Sequence, residues 1–447
     1  MNEVTIIGAG LAGSECALSL ADKDISSTLY EMRPTVPSPA HHTGYLAELV
    51  CSNSLKSDRA DSAAGELKRE LALMGSRLLP LARAAAVAAG GALAVDRERF
   101  AQSVTRAVED NPLIELRREE VTTIPDGPVV IAAGPLCSDA LSKRVAELVG
   151  HESLSFFDAA APIVDAETID YDVVFSQSRY EELGMGDYLN CPFDKEAYEA
   201  FWNELVNAQR VIGRDFETKD LFQACQPVEE VARHDVNTLR FGALKPVGIC
   251  DPTTGRRPWA VVQLRAENEH KSAYNLVGFQ TNLTWGEQKR VFRMIPGLEN
   301  AEFLRYGVMH RNTFVDAPRT LDATFKVPGT QVRLAGQICG TEGYVEAMAS
   351  GALAAANVAA ELKGLEPVRL PETSVFGALV AYATNPETSP YQPMHVNFGL
   401  VPPLETRIRN KRQRAAAYAD RAFQDLAAYL KGRPDLFGDP GDKSLPR

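Results

Sequence analysis

The feature that most constrains this chain is Val4-Thr-Ile-Ile running straight into Gly8-Ala9-Gly10-Leu11-Ala12-Gly13. Val4 to Gly8 reads as a buried strand, Gly8 to Gly13 as a turn, and Ser14 to Ala21 as a helix with apolar residues at helical spacing. The glycines differ in what they permit. The first allows a tight turn, the second lets backbone approach a pyrophosphate, and the third allows close helix–strand packing. The helix start then offers N–H donors and a positive dipole end to phosphate. A second strand, Ser27 to Glu31, follows, and its terminal carboxylate is placed to accept hydrogen bonds from ribose hydroxyls. This βαβ opening predicts a dinucleotide-binding, Rossmann-like α/β fold.

Two later apolar strands also end in glycine turns, at Ala132-Ala-Gly134 and Ala335-Gly336, and an alanine-rich helix through about Leu362 follows the second. A fingerprint near the N-terminus with two such echoes resembles the two-part FAD domain of the glutathione-reductase type, which favours FAD over NAD. Many members of that class carry aspartate after the last glycine, whereas here Gln337 follows Gly336. Gly340-Thr-Glu-Gly343-Tyr344 is expected to begin a helix whose N-terminal dipole faces the flavin's pyrimidine edge. Between roughly Phe156 and Leu304 the chain changes character, with aromatic and charged residues, short strands such as Trp259 to Leu264, and many Pro/Gly turns. The expected organisation is an FAD-binding first part (1–155), an inserted α+β domain (156–304), an FAD-binding second part (305–370), and a helical C-terminal region (371–447) with a polar helix over Leu404 to Leu430 and a loose tail.

Composition narrows the class. With 447 residues, 45% of them hydrophobic and 24% charged, the chain can bury a large core. No basic-then-apolar leader is visible, nor a run of about 20 apolar residues, so a cytoplasmic protein is expected. The seven cysteines are scattered, with no CxxC pair and no zinc-like Cys/His spacing, so neither disulfides nor a metal is suggested. Each is then a small buried hydrophobe or a working thiol. A net charge of −12 argues against a protein coated in positive charge, yet leaves room for a local basic face.

Beyond the fingerprint, the informative segments are Glu31-Met-Arg33-Pro, Leu49-Val-Cys51-Ser-Asn-Ser, Asp187-Tyr-Leu-Asn-Cys-Pro, Cys225-Gln-Pro-Val-Glu-Glu, Leu244-Lys245-Pro-Val-Gly, Val277-Gly-Phe-Gln-Thr, Arg305-Tyr-Gly-Val-Met-His310-Arg-Asn and Asn397-Phe-Gly-Leu-Val-Pro-Pro. Together they resemble the folate- and FAD-dependent tRNA (uracil-5-)-methyltransferases, the TrmFO family, over essentially the whole chain. That resemblance implies transfer of a one-carbon unit from 5,10-methylenetetrahydrofolate through reduced flavin to carbon 5 of a T-loop uridine (position 54), with NADH or NADPH as reductant. It also implies a cysteine, because carbon 5 of uracil becomes nucleophilic only after a thiolate adds at carbon 6.

By the same resemblance Cys225 is the carbon 6 nucleophile and Cys51 a thiol near the flavin that assists activation or proton removal from carbon 5. Lys245 is a candidate cation beside one of them, and His310 a planar lid over the folate pteridine. Cys16, Cys137, Cys191, Cys250 and Cys339 are expected to be inert packing residues. The expected FAD contacts are Gly8, Ala9, Gly10, Leu11, Ala12, Gly13, Glu31, Arg33, Gly134, Gly336, Gln337, Gly343 and Tyr344. For tRNA phosphates the best stretch is Arg407, Arg409, Lys411, Arg412 and Arg414, with Lys289, Arg290 and Arg293 as a second group; a solvated helix face explains either group equally well. The rival readings are the related flavoproteins that modify wobble uridines in tRNA and an NAD(P)H-linked flavin oxidoreductase of a small molecule.

Overall fold

The computed structural model describes residues 4–38, 40–150, 154–181, 186–211, 226–389 and 391–437. Apolar β-branched residues dominate the strands Val4–Ile7, Val129–Ile131 and Val332–Leu334, and all three are buried on both faces, the pattern of a parallel sheet covered by helices. Five parallel strands form that sheet in the order Val332–Leu334, Val129–Ile131, Val4–Ile7, Ser27–Tyr30, Ile114–Arg117. The chain starts in the middle, builds outward to one side, then returns to build the other. The crevice beyond Ile7 is therefore the point where strand order reverses, and open α/β sheets bind ligands there.

Helix Leu11–Ala21 begins inside the glycine turn, three residues earlier than the apolar spacing suggests. It packs against helix Tyr344–Leu362 so closely that a Cβ on Gly351 would lie 2.1 Å from the carbonyl oxygen of Ala12. A second, antiparallel sheet of six strands occupies the middle of the chain, from Ile163–Asp165 to Phe303–Arg305, with its own aromatic core of Phe193, Phe201, Phe279 and Phe292. The chain passes between the two cores along a two-stranded ribbon, Leu154–Ala159 paired with Met309–Phe314.

The C-terminal helices are not a polar appendage. Val375, Leu379, Leu426 and Leu430 belong to the same core as Ile6 and Leu334. Helix Val375–Thr384 is fastened by Glu70, whose two carboxylate oxygens accept the N–H groups of Val375 (2.6 Å) and Phe376 (3.0 Å). The basic helix begins at Lys411, not Leu404, because Asn410 caps it by accepting the N–H groups of Arg412 and Gln413, and prolines 402 and 403 precede it. The loose tail also starts later than expected: Pro434–Phe437 is a helical turn that buries Leu436 and Phe437, and residues 438–447 lie outside the described ones.

Candidate active site

A cavity of about 380 Å³ opens at the switch point, lined by the glycine turn, Glu31, Cys51, Gly134 and the segment Gly336 to Tyr344. The three glycines of the turn do different work. Gly8 has φ +100° and a Cβ there would lie 2.4 Å from the Cα of Ala133; a Cβ on Gly13 would lie 1.8 Å from the carbonyl oxygen of Gly8. Both are demanded by the protein's own backbone. Gly10 differs, since a Cβ there would meet no protein atom within 4 Å and would project into the cavity's space, as it would at Gly134. The N–H groups of Leu11, Ala12 and Gly13 begin the helix with no intrahelical acceptor. A space kept free of side chains, facing unsatisfied donors, fits the pyrophosphate of a dinucleotide.

Glu31 and Arg33 are a buried pair. One Glu31 oxygen accepts from the Arg33 backbone N–H (3.1 Å) and Nε (2.9 Å), the other from the Ala9 N–H (3.1 Å), which leaves that second oxygen a lone pair for a ribose hydroxyl. Arg33 also donates to Glu48 at 3.1 Å and to the Thr43 carbonyl at 3.2 Å. It thus orients Glu31 and the 42–48 loop through its side chain. Burial alone would raise the Glu48 carboxyl, but the backbone N–H groups of His42 and Thr43 and the Thr43 hydroxyl outweigh it and hold the group below the usual carboxylate range.

On the far wall, Gln337 Nε2 donates to both oxygens of Glu342 (2.6 and 2.7 Å), and both residues line the cavity. The carboxylate absent at 337 is thus supplied five residues on. Gly343, at φ +122°, leads into helix Tyr344–Leu362, as the glycine spacing predicts. The hydroxyl oxygen of Tyr344 accepts the N–H groups of Cys51 (2.9 Å) and Ser52 (3.2 Å), and burial pushes its pKa well up. Cys51 lies half-buried in the lining, its thiol donating to the Ala159 carbonyl at 3.5 Å.

The family model described as glucose inhibited division protein A matches residues 3–366. A methylenetetrahydrofolate–tRNA-(uracil-5-)-methyltransferase TrmFO of Moorella thermoacetica is 53% identical over 425 residues, covering 95% of this chain and 97% of its own. The TrmFO of Enterococcus faecalis is 51% identical over 430 residues, covering 96% and 99%. This chain belongs to the TrmFO family. Among solved structures, Aquifex aeolicus GidA superposes with a TM-score of 0.70 at 18% identity, spanning 97% of this chain and 73% of that one, and shows the shared fold.

In this TrmFO-family chain the remaining expected residues scatter. Cys225 lies outside the described residues. His310 sits in strand Met309–Phe314 opposite Asp158, and its side chain is likewise outside them. Lys245 is exposed and is not among the residues that line the cavity. Three arginines, Arg97, Arg265 and Arg305, donate to the loop that carries Cys51. Arg305 opens the same motif as His310, and nothing in a single sequence marks the other two.

Arg407, Arg409, Lys411 and Arg412 are exposed, and Arg412 pairs with Asp61 at 3.1 Å. The second basic group is largely occupied: Arg290 pairs with Glu204 and Glu287, and Arg293 Nε donates to the Ala301 carbonyl. Of the cysteines expected to be inert, Cys16, Cys191 and Cys339 are buried, and burial pushes the Cys16 thiol up to about 12. Cys250 is exposed instead, and Cys137 lines the cavity, where burial pushes it up to about 11. Among the described residues no helix is long and apolar enough to cross a membrane.

Proposed function

We propose that this chain is a 5,10-methylenetetrahydrofolate- and FAD-dependent tRNA (uracil-5-)-methyltransferase that forms 5-methyluridine in the T loop, at position 54, in the cytoplasm. The observation that carries the reading is that Cys51, a thiol in a segment resembling the family's, opens on the same cavity as the Gly8–Gly13 turn. FAD bound there supplies the redox chemistry and carries the one-carbon unit, with NADH or NADPH as the source of electrons. The chain's own residues do the rest. N–H groups at the start of helix Leu11–Ala21 take the pyrophosphate, Glu31 a ribose hydroxyl, and Glu342, steadied by Gln337, the ribityl hydroxyls that an aspartate meets in related folds.

Cys225 adds to carbon 6 of the uracil, which turns carbon 5 into an enolate-type nucleophile toward the one-carbon unit. Carbon 5 bonds to the one-carbon unit as that unit leaves its carrier. Cys51 then takes the proton from carbon 5 as the bond between carbon 6 and sulfur breaks, and the methylene left on carbon 5 is reduced to methyl by two electrons drawn ultimately from NADH or NADPH. His310 stacks on the pteridine and keeps donor and acceptor within reach. Arg407, Arg409, Lys411 and Arg412 contact tRNA phosphates, Lys245 lends its charge to one of the two thiols, and the base leaves its stack to reach the flavin at a cost of a few kcal/mol.

The test uses purified yellow protein, T-arm RNA, labelled methylenetetrahydrofolate and NADH, without S-adenosylmethionine. Label is expected in 5-methyluridine, and its absence from protein that retains FAD sinks the reading in favour of wobble-uridine modification or small-molecule oxidation. Cys51→Ala and Cys225→Ala should each abolish product and keep the yellow colour. Neutralising the basic residues of 407–414 should weaken RNA binding and flatten its salt dependence.

A further inference from the structure

The loop from Leu49 to Asn53 is held almost entirely by groups distant in sequence. Arg97 Nη1 donates to the carbonyls of Leu49 (2.9 Å) and Val50 (3.3 Å), and its Nη2 to that of Cys51 (3.4 Å). Arg305 Nη2 donates to the Val50 carbonyl at 2.8 Å. Arg265 reaches Asn53 Oδ1 and Ser52 Oγ, each at 2.8 Å, and Asn53 Nδ2 donates back to the Ala266 carbonyl. Tyr344 takes the N–H groups on the other side. Arg265 and Arg305 have no carboxylate within ion-pair distance among the described residues, while Arg97, partly buried, is paired with the buried Glu267 at 2.6 Å.

Burying guanidinium groups is unfavourable unless their donors are satisfied, and a loop needed only to connect two elements would be closed at less cost by backbone turns. Here three guanidinium groups, Arg265 buried and Arg97 and Arg305 partly buried, converge on the loop that brings Cys51 to the cavity. Arg265, Glu267 and Arg305 come from the six-stranded sheet and its edge, whereas Arg97 and Cys51 come from the dinucleotide-binding half. The thiol's direction is thus set across the junction of the two halves.

We infer that Arg97 is a positioning residue for Cys51: by bonding three successive carbonyls while braced by Glu267, it fixes how the thiol enters the cavity, with Arg305 as a second support. This rests on the reading of Cys51 as a working thiol.

Removing Arg97 alone would leave Glu267 as an uncompensated buried charge, so the decisive variant is the pair Arg97→Met/Glu267→Met, which removes both charges together. In the FAD-loaded protein it should lower kcat for T-arm RNA by about 10²-fold, the scale of an ångström's misplacement, with little change in KM. Arg305→Met, which leaves the ion pair whole, should show the same split on a smaller scale. The chain's own cysteines supply a readout independent of turnover. In site-resolved alkylation with iodoacetamide, the rate at Cys51 should change several-fold relative to exposed Cys250, while buried Cys16, Cys191 and Cys339 stay protected. Wild-type kcat and a wild-type Cys51 rate in the pair variant would overturn the inference and leave the methyltransferase reading intact. Labelling of the three buried cysteines would overturn it too, by showing that Arg97 holds the fold. If Cys51→Ala still methylates RNA, the reading of Cys51 fails separately, and the alkylation rate still reports whether Arg97 aims the loop.

Discussion

The Gly8–Gly13 turn and the Leu49–Asn53 loop face one cavity but are built by opposite means. The turn is shaped by backbone against backbone: Gly8 against Ala133, Gly13 against Gly8, with Glu31 accepting the Ala9 N–H. The loop is shaped by side chains arriving from Arg97, Arg265, Arg305 and Tyr344. A turn of the first kind fails when anything is added to it. A loop of the second kind fails when a distant residue is taken away.

The largest effect expected is at Gly8 and Gly13. Alanine at either forces backbone to move, since the new Cβ would lie 2.4 Å and 1.8 Å from main-chain atoms, and should destabilise the fold by about 3 kcal/mol or more, seen as a large fall in Tm and colourless protein. Gly10→Ala sharpens the contrast, because its Cβ has room in the protein and stands only where the ligand lies. It should keep the wild-type Tm of the apoprotein while FAD affinity drops at least about tenfold, about 1.4 kcal/mol. Equal losses at all three positions would mean that the turn has no division of labour.

For the loop, Tyr344→Phe leaves the Cys51 and Ser52 N–H groups without their acceptor, a loss of about 2 kcal/mol by the usual cost of an unsatisfied buried donor, readable in chemical denaturation. An unchanged midpoint would show that water replaces the hydroxyl.

The smallest effect belongs to pH. The Glu48 carboxyl is held below its unfolded value of 4.5, so the stability it lends the turn's Arg33 support is fully present above that pH and is lost as pH falls through the lower folded value. Glu48→Gln should therefore be less stable than wild type at neutral pH, and the two Tm curves should converge on acidification below about 4.5. Parallel curves would remove Glu48 from the account.

This contrast also explains what the sequence discloses. The parallel strands, their order-reversing crevice and the separate roles of the glycines follow from local patterns, because Val4-Thr-Ile-Ile and GxGxxG dictate their own geometry within a few residues. The capping of the basic helix by Asn410 is equally local, and its start is obscured only because the run of arginines continues upstream of the cap. Arg97 and Arg265 are invisible because their roles depend on which distant loop the fold delivers to them; an arginine at a helix start or in a strand reads the same whether it meets solvent or a loop.

The strand order has one more consequence, for biosynthesis. Val4–Ile7 leaves the ribosome well before its sheet neighbour Val129–Ile131, and Val332–Leu334 with the wall from Gly336 to Tyr344 follows much later still. A nascent chain therefore carries the nucleotide fingerprint without a pocket around it until Tyr344 has emerged. Flavin loading has to wait for that last wall, and the growing sheet keeps an unpaired edge until Val332–Leu334 arrives.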